Sequence, residues 1–189
     1  MLKLQYIADI GADKDNFPFQ NQYQVLSRIK VIYSTARQGK ITNNVAINLR
    51  DYFFIVSQSY NEIPNTVNGY NDYAKKKIRK VAEIISQNNN LKFGMAQKFF
   101  NLFMKDLWAW NKLTPEQERV LHFPLDRIIL TYMRYNPWKA WTKIIAPVDE
   151  YNNKFKQYLG IQNIFRNQLR YYNFNSPLEL EQYLWHRFQ

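Results

Sequence analysis

No cysteine occurs in the chain, and that absence removes disulfides, thiolate metal ligands and cysteine nucleophiles together. Only two histidines are present, His122 and His186, too few for a histidine-built zinc centre, so neither a metal nor another cofactor is expected. Five glycines among 189 residues cannot supply the tight turns of an all-β fold of this length. The opening residues MLKLQYIADIGADKD lack the apolar core of a signal peptide. Nor does any apolar run approach the roughly 18 residues that suggest a membrane span. The expectation is a soluble, cytoplasmic protein without a membrane partner. Acidic residues are also scarce: 15 Asp and Glu against 26 Lys and Arg leave a net charge of +11, which attracts polyanions, with DNA or RNA first among partners.

What the chain has in abundance is aromatic residues, 17% of the total, set in three- and four-residue spacings. Residues 1–20 show no sustained period and read as an irregular N-terminal arm. Beyond them, Tyr23, Leu26, Ile29, Ile32 and Tyr33 mark a helix that stops near Gln38-Gly39-Lys40. Further helices are expected from Thr42 to Tyr60, Asn71 to Gln87 and Lys92 to Asn111, with a loop over Asn65 to Gly69. Thr114-Pro115-Glu116-Gln117 has the form of a capped helix start. After Pro124 breaks the backbone, Asp126 is placed to cap a helix from Arg127 to Tyr135. The remainder reads as helices over Trp138 to Ile145, Val148 to Leu159, Gln162 to Tyr172 and Pro177 to Phe188. The fold class is all-α, one domain over residues 1–189, an orthogonal array of about nine or ten helices.

The richest stretch runs from Phe93 to Met133. Phe93, Ala96, Phe100, Phe103, Leu107 and Trp110 form a stripe that Met95, Phe99 and Leu102 widen, so this helix is apolar around most of its circumference. Its narrow polar strip holds Lys98, Asn101 and Lys105. Upstream, Lys75, Lys76, Lys77, Arg79 and Lys80 crowd one helix, as a solvated face or as a surface for phosphates. Lys98 is an amine on a largely apolar helix, and Asp126 a carboxylate just past a proline. Each also has a plain structural reading, the lysine reaching out to solvent and the aspartate serving as a helix cap. His122 reads as a buried structural histidine.

The His-Phe-Pro-Leu-Asp segment, residues 122–126, followed by the apolar RIILTYM, resembles the element that carries the catalytic aspartate of the helix-hairpin-helix DNA glycosylase superfamily. The resemblance spans about residues 86–135, with Ser86 to Gly94 at the hairpin position and a single glycine, Gly94, where the superfamily has several. It implies Asp126 as the catalytic carboxylate and Lys98 as the lysine that forms a Schiff base. Phosphates would then meet Lys75, Lys76, Arg79, Lys80, Lys92, Gly94 and Arg127, and an extruded base would stack on an aromatic surface such as Trp108 or Trp138. The chemistry fits the residue types, because base excision builds positive charge on the sugar that a carboxylate stabilises, while an amine attacks the anomeric carbon. The alternative is a non-enzymatic helical module that binds nucleic acid or a protein.

Overall fold

The computed structural model describes residues 1–35, 41–86, 89–134 and 141–187. Among them the fold is all-α, with nine helices: α1 Leu2–Asp9, α2 Gln22–Thr35, α3 Asn43–Gln58, α4 Val67–Ile85, α5 Phe93–Ala109, α6 Pro115–Val120, α7 Arg127–Tyr132, α8 Tyr151–Tyr172 and α9 Pro177–Arg187. Single 3-10 turns lie at Tyr60–Glu62, Trp141–Lys143 and Val148–Glu150. Two short strands, β1 Asn90–Leu91 and β2 Ala146–Pro147, pair antiparallel with Leu91 opposite Ala146.

Helix α5 runs through the middle. Of its 17 residues only Lys98 and Leu102 are not buried, because the apolar stripe is wide enough to face α4 on one side and α1 and α2 on others. Phe103 packs edge-on against Phe19 and tilted against Phe53, while Phe93 meets Tyr151 and Tyr158 of α8. Such rings bury large apolar areas and gain further from edge-to-face geometry.

Several boundaries differ from the sequence expectation. The expected irregular arm instead begins with α1, whose Tyr6 and Ile7 are buried and whose Tyr6 hydroxyl donates to Asp106 at 2.7 Å. α4 starts inside the expected loop, since the Thr66 hydroxyl accepts the Gly69 amide and caps Val67 onward. The helices expected on either side of Gly160 are one continuous α8: nothing packs close to Gly160, and Tyr158, Ile161 and Phe165 keep the buried stripe unbroken. A glycine in an exposed helix position costs only about 1 kcal/mol. Where a helix was expected from Trp138 to Ile145, the described part is a 3-10 turn leading into β2, because the Ile144 carbonyl accepts the Gly94 amide and Ala146 pairs with Leu91. The expected stop at Gln38-Gly39-Lys40 lies outside the described residues.

Candidate functional site

Lys98, Leu102 and Lys105 occupy positions i, i+4 and i+7 of α5 and line one face of a cavity of about 280 Å³. Opposite them stand Asp9 and Ile10 at the end of α1, Arg28 and Ile32 of α2, and Glu181, Gln182 and Trp185 of α9. Pro124 and Asp126 complete the wall, so the lysine and the aspartate singled out in the sequence open into the same space. The expected polar strip of α5 divides: Asn101 points elsewhere, fully buried and donating to the Tyr158 hydroxyl at 2.8 Å.

The position of Asp126 follows from how residues 121–126 are held. This stretch is not helical, yet Leu121, His122, Phe123, Pro124 and Leu125 are all buried, so its backbone groups need partners other than water. Side-chain amides supply them. Gln97 of α5 pairs with Leu125 in both directions, donating to its carbonyl and accepting its amide at 3.1 Å each. Gln162 of α8 does the same for Phe123, at 2.8 and 3.1 Å, and Asn101 donates to the same carbonyl. Pro124, between the two paired residues, has no N–H to satisfy and lines the cavity. One Asp126 oxygen then accepts the Ile129 amide at 3.0 Å and caps α7, which leaves the other unused by the cap.

Beneath the opening the cavity is charged but paired. The Lys105 ammonium donates to the buried Glu181 carboxylate. Burial raises the Glu181 carboxyl above its ordinary range, Lys105 pulls it back, and the Asp126 carboxylate pushes in the same direction as burial. Arg28 is bidentate to the fully buried Asp106, at 2.8 and 2.9 Å, and reaches the Tyr6 hydroxyl at 2.6 Å. Burial acts against the Arg28 charge, yet Asp106 and Tyr6 hold the guanidinium above its ordinary range. Lys98, half-buried, forms neither a hydrogen bond nor an ion pair with any described residue. The cavity thus offers one uncommitted amine and one half-committed carboxylate between apolar side chains and paired charges.

The other expected site residues are not gathered there. α4 packs on α5 through Tyr70, Ala74, Ile78 and Val81, and its Tyr73 ring meets Phe100 of α5. Phe100 lies about 200° around the helix from Lys98, so the Lys75, Lys76, Arg79 and Lys80 face is turned away from the cavity. Arg79 is also paired with Glu83 at 3.2 Å. Lys92 and Gly94, expected to meet a phosphate, have both amides engaged: Lys92 donates to the Ser86 hydroxyl at 2.9 Å and Gly94 to the Ile144 carbonyl at 3.0 Å. Gly94 is buried, and a Cβ there would sit 1.5 Å from the Trp141 carbonyl oxygen. Its glycine identity serves this crossing.

Trp108 is fully buried with Lys3 over its ring, which leaves no face for a base. Trp138 lies outside the described residues. The tryptophan that does line the cavity is Trp185. Arg127 is exposed at the first turn of α7, directly after Asp126. His122 is fully buried, its Nε2 2.9 Å from the Asn71 side-chain oxygen, and burial, then Arg166, pushes its pKa well below the ordinary value.

Residues that the sequence reading passed over are Asp9, Arg28, Glu181 and Gln182. A signal for two of them exists: Arg28 sits in the apolar stripe of Val25, Ile29 and Ile32, and Glu181 in that of Leu178 and Leu184. A charge in a buried stripe needs a buried partner. Among the described residues there is no group of three His, Asp or Glu able to hold a metal ion, and no helix long and apolar enough to cross a membrane. Compared with known proteins, the chain matches no family model, no curated protein and no solved structure.

Proposed function

We propose that the chain acts on nucleic acid, that the Lys98–Asp126 cavity receives one unstacked base, and that the reaction is excision of that base. The reading rests on one observation: a lysine without an ion pair among the described residues and a carboxylate with an oxygen unused by its cap, on different elements, line a single cavity whose other charges are paired. Its volume of about 280 Å³ is at the lower end for small-ligand pockets, suited to one planar heterocycle with Trp185 along the wall. In the reaction, the bond from the anomeric carbon to the base nitrogen breaks with its electron pair leaving on the base. The Asp126 carboxylate stabilises the positive charge that develops on the sugar. The Lys98 amine, having lost one proton to solvent, forms the new bond to that carbon; the bond from the carbon to the ring oxygen then breaks, a second amine proton passes to that oxygen, and a protonated Schiff base remains.

A second reading, a non-enzymatic binding module in which Lys98 and Asp126 only shape the cavity, is favoured by the engaged amides of Lys92 and Gly94. One experiment separates the two. The full chain is incubated with single-stranded and duplex oligonucleotides bearing a panel of modified bases, and adducts are trapped with borohydride. The excision reading expects an adduct that disappears in Lys98→Ala. It also expects Asp126→Asn to cut the rate by about 100-fold while leaving stability nearly unchanged, because Asn caps a helix about as well as Asp. No adduct and no abasic product across the panel refutes excision and leaves the binding module.

A further inference from the structure

The lysine face of α4 is turned away from the cavity, so a strand that delivers a base to it needs another surface. At the far end of α7, Tyr132, Met133 and Arg134 meet Gln168, Tyr171 and Tyr172 of α8 around a shallow open depression. Tyr171 is 86% exposed and Tyr172 38%, and the Tyr172 ring stands edge-to-face with Tyr132 at 6.4 Å. Arg134 lines the same depression, and Arg170 directly precedes Tyr171 in the chain. Arg127, Arg134 and Arg170 are all exposed, and none forms a salt bridge with another described residue.

The surrounding sequence contains almost no negative charge. From Arg127 to Leu178 the only acidic residues are Asp149 and Glu150, against eight lysines and arginines. One backbone feature adds to this. Arg134 closes the C-terminus of α7 with φ of 53°, a left-handed conformation that favours glycine and costs an arginine roughly 1 kcal/mol or more. α8 ends in the same conformation at Asn173, a residue type that tolerates it well. A strained arginine with no salt bridge among the described residues, beside exposed rings, is a pattern that stability alone does not favour.

We infer that this tyrosine and arginine surface at the ends of α7 and α8 binds single-stranded nucleic acid, its bases stacking on Tyr171 and Tyr172 and its phosphates meeting Arg134 and Arg170. Stacking on aromatic rings with arginines tracking the backbone is how single strands are held without sequence preference, whereas a duplex hides its base faces. The surface is close to the cavity: the six residues of α7 rise about 9 Å from Asp126. The inference rests on the nucleic-acid reading of the chain but not on its excision chemistry.

The test is fluorescence polarisation of the full chain with a labelled single strand of about 15 nucleotides, over a series of salt concentrations. Tyr171→Ala weakens binding roughly tenfold with unchanged salt dependence. Arg134→Gly and Arg170→Ala each reduce the slope of log K against log salt by about 0.7, and Arg134→Gly does so with a thermal midpoint unchanged or raised. The double change Lys76→Ala/Lys80→Ala leaves affinity intact, and the borohydride trap reads catalysis separately, so a failure of strand binding is distinguishable from a failure of catalysis. The inference is overturned if the tyrosine and arginine variants bind as the parent does, if loss is confined to the α4 variant, or if duplex or inorganic polyphosphate competes as well as the strand.

Discussion

Replacing Asp106 by Ala removes the acceptor of three hydrogen bonds in one step. The carboxylate is fully buried and takes Arg28 through two nitrogens and Tyr6 through its hydroxyl. The substitution therefore leaves an arginine that is 8% exposed with no counter-charge, and deprives the buried Tyr6 hydroxyl of its acceptor. Breaking a buried pair by removing one partner costs about 3–5 kcal/mol, most of it the cost of the stranded charge. For a chain of this length, 1 kcal/mol moves the midpoint by roughly 2–4 °C, so a fall of about 6–20 °C is expected. Urea titration measures the free energy directly and thermal melting checks the shift. The double replacement Arg28→Met/Asp106→Leu gives the decisive contrast, because apolar side chains of similar size fill the space without an orphaned charge. It should be more stable than Asp106→Ala alone, and below the parent only by the cost of the stranded Tyr6 hydroxyl, about 1–3 kcal/mol. A loss under about 1 kcal/mol for Asp106→Ala, or a double variant as unstable as the sum of the singles, refutes the reasoning.

Gly94→Ala forces a Cβ to within 1.5 Å of the Trp141 carbonyl oxygen, a backbone atom that cannot swing aside. A loss above about 4 kcal/mol, or failure to fold, is expected in the same titration, and a variant within about 1 kcal/mol of the parent disproves the close crossing. His122 sets a pH dependence. Burial depresses its folded pKa below the ordinary 6.5, so below about that pH the unfolded chain takes up a proton that the folded chain refuses. Stability then falls with falling pH, by at most about 1.4 kcal/mol per unit from this residue. Urea midpoints at several pH values, compared between the parent and His122→Gln, check it: an unchanged slope in the variant excludes the histidine as the source.

How much of this was readable in advance varies by element. The three- and four-residue spacing that marks α2 to α5 is a local property, and so are the caps. The Thr114–Gln117 capping box forms both of its hydrogen bonds, and Asp126 caps α7. α1 was not readable because eight residues span barely two turns, too short for a period to show, and its placement is fixed by Tyr6 reaching Asp106, 100 residues away. The all-round apolar character of α5 indicated a central helix. It could not show that Lys98 and Leu102 face a gap in the packing. Arg28 and Glu181 were visible as charges in apolar stripes, but nothing in local spacing pairs Arg28 with Asp106 at a separation of 78 or Lys105 with Glu181 at 76. The direction of the α4 lysines likewise depends on which side of α5 the helix docks, a tertiary choice.

The pairing of Gln97 and Gln162 with Leu125 and Phe123 changes where the instructions for the site reside. A glutamine amide reproduces the donor and acceptor of a peptide group, so the buried stretch is seated as a strand would be between two neighbours, each reduced to a single side chain. The stretch itself is then lightly constrained: other apolar residues of similar bulk at 121, 123 and 125 can be accommodated. Gln97 and Gln162 cannot drift in the same way, because a carboxylate would set an acceptor against a carbonyl and a leucine would offer neither group. Sequence divergence should therefore erode the conspicuous His-Phe-Pro-Leu-Asp segment first, while two inconspicuous glutamines on separate helices persist. A search for distant kin keyed to that pair, with an aspartate closing the stretch between them, would look in the more durable place.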